Sequence, residues 1–230
     1  MHGATGGAKI LYMRRIAWIA VGVWLLSARA GTAFEAYEFD APQDFLAPAD
    51  EWVIWKGTLD RHAEEAARFR ACVVDEAACE KSMRTLRPVL IRGATLDTDD
   101  KVRLANRYIN RRHYRNDRDW TTTISVSTRQ RNQWRSLLEF LEKGGDCEDY
   151  ATAKYFLLRA LGVPADDLRV VVAWDRKSRG YHALLAYRTP GSAWLLDTDG
   201  TIKRGPQQRF LRFLFSLNEV GIWDHARKTG

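Results

Sequence analysis

Cys147 stands inside Gly144-Gly145-Asp146-Cys147-Glu148-Asp149-Tyr150-Ala151, a thiol among three carboxylates. Two residues downstream could complete a reaction centre with it: His182 in YHALLAY and Asp197 in AWLLDTDG. A thiol nucleophile, an imidazole to take its proton and a carboxylate to orient the imidazole are the parts of a triad for acyl chemistry. Residue types alone discriminate little, since most chains contain a Cys, a His and an Asp. Their order along the surrounding elements is far more restrictive.

Those elements follow from local patterning. A helix is expected through Trp134 to Leu141, stopping at Gly144-Gly145. Asp146 suits an N-cap, and a second helix should run from Cys147 through YATAKYFLLRAL to Gly162, with Val163-Pro164 as a stop. Ala151, Tyr155 and Leu158 form its buried stripe. Cys147 would thus open a helix, where the dipole and free N–H groups lower a thiol pKa and the flanking carboxylates oppose them. The Cys147 N–H becomes one expected oxyanion donor. Asn132, Gln133 and Trp134 are all candidates for a second.

Beyond this helix come LRVVVAW (168–174), YHALLAY (181–187) and AWLLD (193–197), three strands separated by the turns DRKSRG and RTPGS. His182 shares a strand face with Leu184 and Ala186, and Asp197 ends the next strand. Adjacent antiparallel strands can make the two cross-strand neighbours. Upstream, LDRHAEEAARFRAC (59–72) forms an amphipathic helix. ATLDTDDKVRLANRYINRR forms another, capped by Asp or Thr, with Val102, Ala105 and Ile109 on one face. A short strand is expected near Ile124-Ser125-Val126, and a last helix over QQRFLRFLFSLNE. The fold class is α+β, a cysteine-bearing helix packed on an antiparallel sheet that carries the His and the Asp.

The first residues indicate a compartment. Met13-Arg14-Arg15 precedes the uncharged run IAWIAVGVWLL and then SARAGTAFE, with small residues at two cleavage spacings, Ala28/Ala30 and Gly31/Ala33. A basic start, a short apolar run and a small-x-small site describe a secretory signal peptide over residues 1–33, and Met13 offers an alternative start. The run is shorter than the roughly 20 apolar residues of a spanning helix. Removing residues 1–33 takes away Lys9, Arg14, Arg15 and Arg29 and lowers the net charge from +7 to about +3, too mild a value to argue for nucleic acid. The remaining residues, 34–230, suit one domain. Of the three cysteines, Cys72 and Cys79 are close enough to close a small loop as a disulfide, or are two buried thiols. Cys147 is then the unpaired one, a candidate reactive thiol. His62, His113 and His225 lie in charged, surface-like stretches without metal spacing.

GGDCEDYATAKYFLLRALGVPADDLRVV resembles the core motif of the bacterial transglutaminase-like cysteine proteinases, the LapG type of periplasmic protease. The resemblance extends to NRYINRRHYRND and RSLLEFLEKGG upstream, and to His182, LLDTDG and FSLNEVGIW downstream. It implies a papain/transglutaminase-like fold with Cys147, His182 and Asp197 as the triad. The chain departs from the family at Asn132, where an Asp is usual, at Ser136-Leu137 in place of Thr-Pro, and at Thr198 in place of Asn.

The three acids have two accounts. Asp146, Glu148 and Asp149 can serve the helix N-terminus alone. Hard oxygen donors of this kind also suit Ca²⁺, and the resemblance implies calcium at Asp146 and Glu148, with Asp149 a further candidate and Asp166 and Asp167 of the PADD loop as additional ligands. Trp134 and Tyr150 could line the active-site groove or simply pack. The resemblance further implies a large surface adhesin as substrate and an inner-membrane cyclic di-GMP receptor as inhibitor. Other classes remain open: a transglutaminase or other amide-transfer enzyme on the same fold, or a non-catalytic calcium-binding adaptor.

Overall fold

The apolar runs at 168–174, 181–187 and 193–197 are strands because both of their faces are covered. The structure, a computed structural model, describes residue 39 and residues 45–116, 134–190, 192–204 and 208–225. All of them fall within one compact unit, Phe34–Gly230. The expected signal peptide, the strand near Ile124 and the candidates Asn132 and Gln133 lie outside the described residues.

Strands β1 (Phe45–Pro48), β2 (Leu168–Asp175), β3 (Gly180–Thr189), β4 (Ser192–Leu196), β5 (Ile202–Arg204), β6 (Leu211–Leu217) and β7 (Gly221–Asp224) form one sheet. Its order is β1-β7-β6-β2-β3-β4-β5, antiparallel throughout. The expected meander is β2-β3-β4; the half of the sheet beyond β2 was not anticipated.

One correction concerns residues 211–217, expected as helix and found as β6. Phe210, Phe213, Leu214 and Leu217 satisfy a helical period, while Leu211, Phe213, Phe215 and Leu217 satisfy a strand period. Pairing decides between them. β6 docks on β2 with Val172 opposite Phe215 and Ala173 opposite Phe213, so that Leu214 is bulged out of register. The bulge turns the strand over, so that Leu211 and Phe213 meet one apolar cluster and Phe215 and Leu217 the other.

Five helices accompany the sheet among the described residues: α1 (Val53–Val74), α2 (Arg87–Gly93), α3 (Thr98–Ile109), α4 (Leu137–Lys143) and α5 (Cys147–Ala160). α3 starts where Asp97 accepts from the Asp100 N–H, and Val102, Ala105 and Ile109 are fully buried on its inner face. α4 starts at Ser136, which with Glu139 completes a capping box. α5 is buried from Asp149 to Leu158 on every side, not along one stripe. β2 and β3 cover one flank, α3 and α4 others, and Trp55 of α1 stacks on Phe156 at 5.8 Å. A helix walled in on all sides tolerates apolar residues all round.

The sheet separates two apolar clusters. Leu168, Val170, Val172, Ala183, Leu185 and Leu196 join the core around α5. Val171, Ala173, Leu184, Ala186 and Leu195 join Phe39, Leu211 and Phe213 on the other face. Cys72 and Cys79 are joined as a disulfide, closing the turn after α1. His62, expected at a charged surface, is stacked on Phe156 at 3.9 Å. Leu59, Ala63 and Ala66 give α1 an apolar stripe that carries His62 inward with it.

Candidate active site

Gly144 and Gly145 make the turn that presents Cys147. Gly144 has a φ of +72°, and a Cβ there would approach the His113 carbonyl to 2.7 Å. A Cβ on Gly145 would overlap the Asp149 carboxylate. The chain can therefore fold back tightly at the start of α5, where the Arg115 N–H also donates to the Gly145 carbonyl at 2.8 Å. Asp146 occupies the N-cap position without a side-chain cap hydrogen bond, which corrects the capping role expected for it.

Cys147 sits at the first position of α5, beside an uncovered stretch of β3. The β3–β4 ladder ends at the pair Leu185–Leu196, so among the described residues β3 runs on unpaired on that side. There the Ala183 N–H hydrogen-bonds the Cys147 sulfur, one residue from His182. His182 Nε2 meets Asp197 Oδ1 at 2.7 Å. The contact is diagonal, not directly across the strands. Asp197 follows Leu196, the partner of Leu185, so it lies beyond the last registered pair, toward residue 184, and an imidazole two residues further along bridges the offset. With Nε2 committed to Asp197, Nδ1 is the other ring nitrogen of His182.

Several donors hold Asp197. Its Oδ1 also accepts from the Thr198 N–H at 2.6 Å and the Thr198 hydroxyl at 3.2 Å, and its Oδ2 pairs with the Lys203 ammonium. Burial alone would raise its pKa; the hydrogen bonds and positive charge of His182 and Lys203 outweigh burial and hold the carboxyl well below its usual range. Its backbone carbonyl accepts from the Lys154 ammonium at 2.5 Å. Lys203, Lys154 and the Ala183 N–H escaped sequence reasoning. Lys154 alone left a trace there, as a cation inside an otherwise apolar helix.

The thiol is pushed well above its ordinary pKa, first by burial and then by the charge of Glu148. Its Sγ donates to Glu148 Oε2 at 3.3 Å. The expected lowering by the helix N-terminus is overridden here. Glu148 is itself pushed up to about 8, by burial and by its contact with Asp146, to which it is hydrogen-bonded. The negative charge of Asp146 beside it disfavours ionisation of Glu148.

That pair is the part of the site whose chemistry fits a hard cation: facing carboxylate oxygens in a spot where negative charge is costly. Asp149 does not fit. It accepts from the Arg135 N–H at 2.8 Å and pairs with the Arg135 guanidinium, so its buried carboxylate ties α5 to the chain entering α4. Asp166 and Asp167 do not fit either. They follow the C-terminal end of α5, and 14 helical residues place that end about 20 Å from the Cys147 end. Among the described residues no group of three or more His, Cys, Asp or Glu side chains is arranged to hold a metal.

Trp134 and Tyr150 are buried and packed. Trp134 crosses Trp52 at 5.0 Å in a T shape, and its carbonyl accepts from Arg61 at 2.6 Å. Tyr150 stands edge-on to Phe140 at 4.8 Å and donates to the Arg112 carbonyl at 2.5 Å. His225 Nε2 is paired with the Ser216 hydroxyl at 2.8 Å.

A helix-start cysteine against an antiparallel sheet that supplies a hydrogen-bonded His–Asp pair defines a class, and residues 84–196 match the model of that class, the transglutaminase-like superfamily. The chain has the transglutaminase-like fold. It is similar to the solved structure of Legionella pneumophila LapG with a TM-score of 0.56 and 26% identity, over 69% of this chain and 87% of that one. The calcium-bound form of that protein gives 0.57 and 26%, with the same coverage. The EGTA-treated form gives 0.57 and 25%, over 72% and 88%. No curated protein sequence matches the chain.

Proposed function

We propose that this chain is a calcium-dependent cysteine endopeptidase, exported to the periplasm, that trims the N-terminal region of a large surface adhesin and so controls attachment. The observation that carries the protease reading is the His182–Asp197 pair at 2.7 Å beside a helix-start thiol held by the neighbouring Ala183 N–H. His182 Nδ1 takes the Cys147 proton while Asp197 stabilises the imidazolium that results. The thiolate attacks a scissile carbonyl, and the Cys147 N–H, one of the donors a helix start leaves unused, faces the oxyanion. The imidazolium returns its proton to the leaving amine, leaving an acyl-enzyme. Water, deprotonated by His182, then releases the acid and the thiol.

Calcium is supported by the Asp146–Glu148 pair and by the calcium-bound and EGTA-treated forms solved for the Legionella protein. Held by Asp146 and Glu148, the ion would supply the positive charge that lets both carboxylates ionise beside the thiol. Export rests on the signal-like segment at 1–33. The adhesin substrate and an inhibitory inner-membrane receptor for cyclic di-GMP rest on the family resemblance.

The test is incubation of the protein with the N-terminal region of such an adhesin, in calcium and in EGTA, with Cys147→Ala as control and products identified by mass spectrometry. One defined cut, lost in EGTA and in the variant, is the expected result. A cut that persists in EGTA would remove calcium from the account and leave the protease. Incorporation of an added primary amine at the acyl-enzyme, in place of hydrolysis, would replace endopeptidase with amide transfer.

A further inference from the structure

Lys154 is the least expected residue of α5. It lies in the middle of a helix buried on all sides and is itself fully buried. Among the described residues no carboxylate forms an ion pair with it; its ammonium donates to the backbone carbonyl of Asp197 at 2.5 Å. A Met or Leu would fill the same space without the cost of taking a charged group out of water. A local rule broken in this way, with no gain in packing, points to a task at the contacted atom.

That atom is held by more than Lys154. The Asp197 carbonyl also accepts from Asn110 Nδ2 at 3.0 Å and from the Gly200 N–H at 3.2 Å. Asn110 Nδ2 reaches the next carbonyl as well, Thr198 O, at 2.5 Å, and Asn106 Nδ2 reaches Gly200 O at 2.7 Å. Donors from α5 and from the end of α3 thus converge on the turn 197–200 from within the core. Among the described residues no β3 residue pairs with Asp197; its N–H donates to the Thr201 carbonyl at 3.0 Å on the β5 side, which leaves its carbonyl to these donors.

We infer that Lys154, with Asn110, is a positioning residue: it anchors the main chain of Asp197 so that the carboxylate is presented to His182 Nε2 where the sheet no longer can. An amine donates a hydrogen bond whether charged or neutral, so the anchor does not depend on its protonation. This inference rests on the Cys–His–Asp reading of the site, and its test separates the two.

The protein and the variants Lys154→Met, Asn110→Ala and His182→Ala are alkylated with iodoacetamide in calcium, and the downfield proton shared by His182 Nε2 and Asp197 is followed by NMR. Lys154→Met keeps the volume and removes the donor. It is expected to retain near-UV circular dichroism, to slow alkylation of Cys147 about tenfold to 10²-fold, as misplacement of a reacting group does, and to shift or broaden the shared proton. Asn110→Ala moves both readouts the same way by less. Wild-type alkylation and an unchanged proton in Lys154→Met overturn the inference. So does a Lys154→Met that loses tertiary packing while Asn110→Ala changes neither readout, since Lys154 would then serve folding alone. If instead His182→Ala leaves alkylation unchanged, the triad reading has failed, and the shared proton still reports whether Lys154 sets the position of Asp197.

Discussion

At the scale of residues, the site works through differences in charge environment. Asp197 is held ionised by His182 and Lys203, whereas Glu148, deprived of such partners, is pushed toward its protonated form. Replacing His182 by Ala, or Asp197 by Asn, should lower peptide cleavage by about 10⁴-fold, as loss of a triad member does elsewhere, measured as kcat/KM on a common substrate. Lys154 permits a pH prediction. Burial lowers its pKa to about 7, against the pull of Asp197 and Asp199, while in the unfolded chain it titrates near 10.4, about the ordinary lysine value. As pH falls from about 10.4 to about 7 the unfolded chain takes up the proton first, so the fold loses stability across that window. Lys154→Met should therefore gain most over the parent below about pH 7 and gain nothing from this effect above about pH 10.4. Urea denaturation at the two extremes measures it, and an equal difference at both would refute it.

At the scale of elements, the turn before α5 and the unpaired end of β3 do the positioning. Gly145 lies against the Asp149 carboxylate, which in turn holds Arg135. Gly145→Ala should lower stability by about 1–3 kcal/mol, the usual range for overpacking, and should reduce cleavage by more than the stability loss explains, because Cys147 is two residues away. Chemical denaturation and kcat on the same preparation check this; a Gly145→Ala protein of normal activity would contradict it. The helices α1 and α4 meet through Glu65, a buried carboxylate that accepts from the Ser136 hydroxyl and from the Leu138 N–H at 3.1 Å. The capping residue of α4 is thereby fixed to a neighbouring helix as well as to its own.

At the scale of the whole molecule, α5 is the hub and the sheet is its wall. The disulfide between Cys72 and Cys79 secures the end of α1, which packs on α5 through Trp55. With a sequence separation of 7, chain-entropy arguments give it about 2.5 kcal/mol. Reduction, or the pair Cys72→Ser and Cys79→Ser, should lower Tm by roughly 5–10 °C for a chain of this size. Calorimetry in oxidising and reducing buffer reads it, and an unchanged Tm would show that the contacts of α1 suffice without the bridge.

Much of this molecule is local in origin. The helix-start cysteine, the glycines before it, the three strands that follow and the caps of α3 depend on residues near one another in the chain, and local physics made them legible in the sequence. The strand β6 was not, because Phe210 to Leu217 satisfies two periods at once and only pairing with β2 chooses between them. The same holds within the site. The sequence determined which residues could act and in what order, since residue chemistry and short-range periodicity are carried by the chain itself. Only the tertiary structure decided that Asp149 pairs with Arg135, that Asp166 and Asp167 lie at the wrong end of α5, and that Lys154, Asn110 and Lys203 converge on Asp197, because each of those is a meeting of residues brought together by packing between elements.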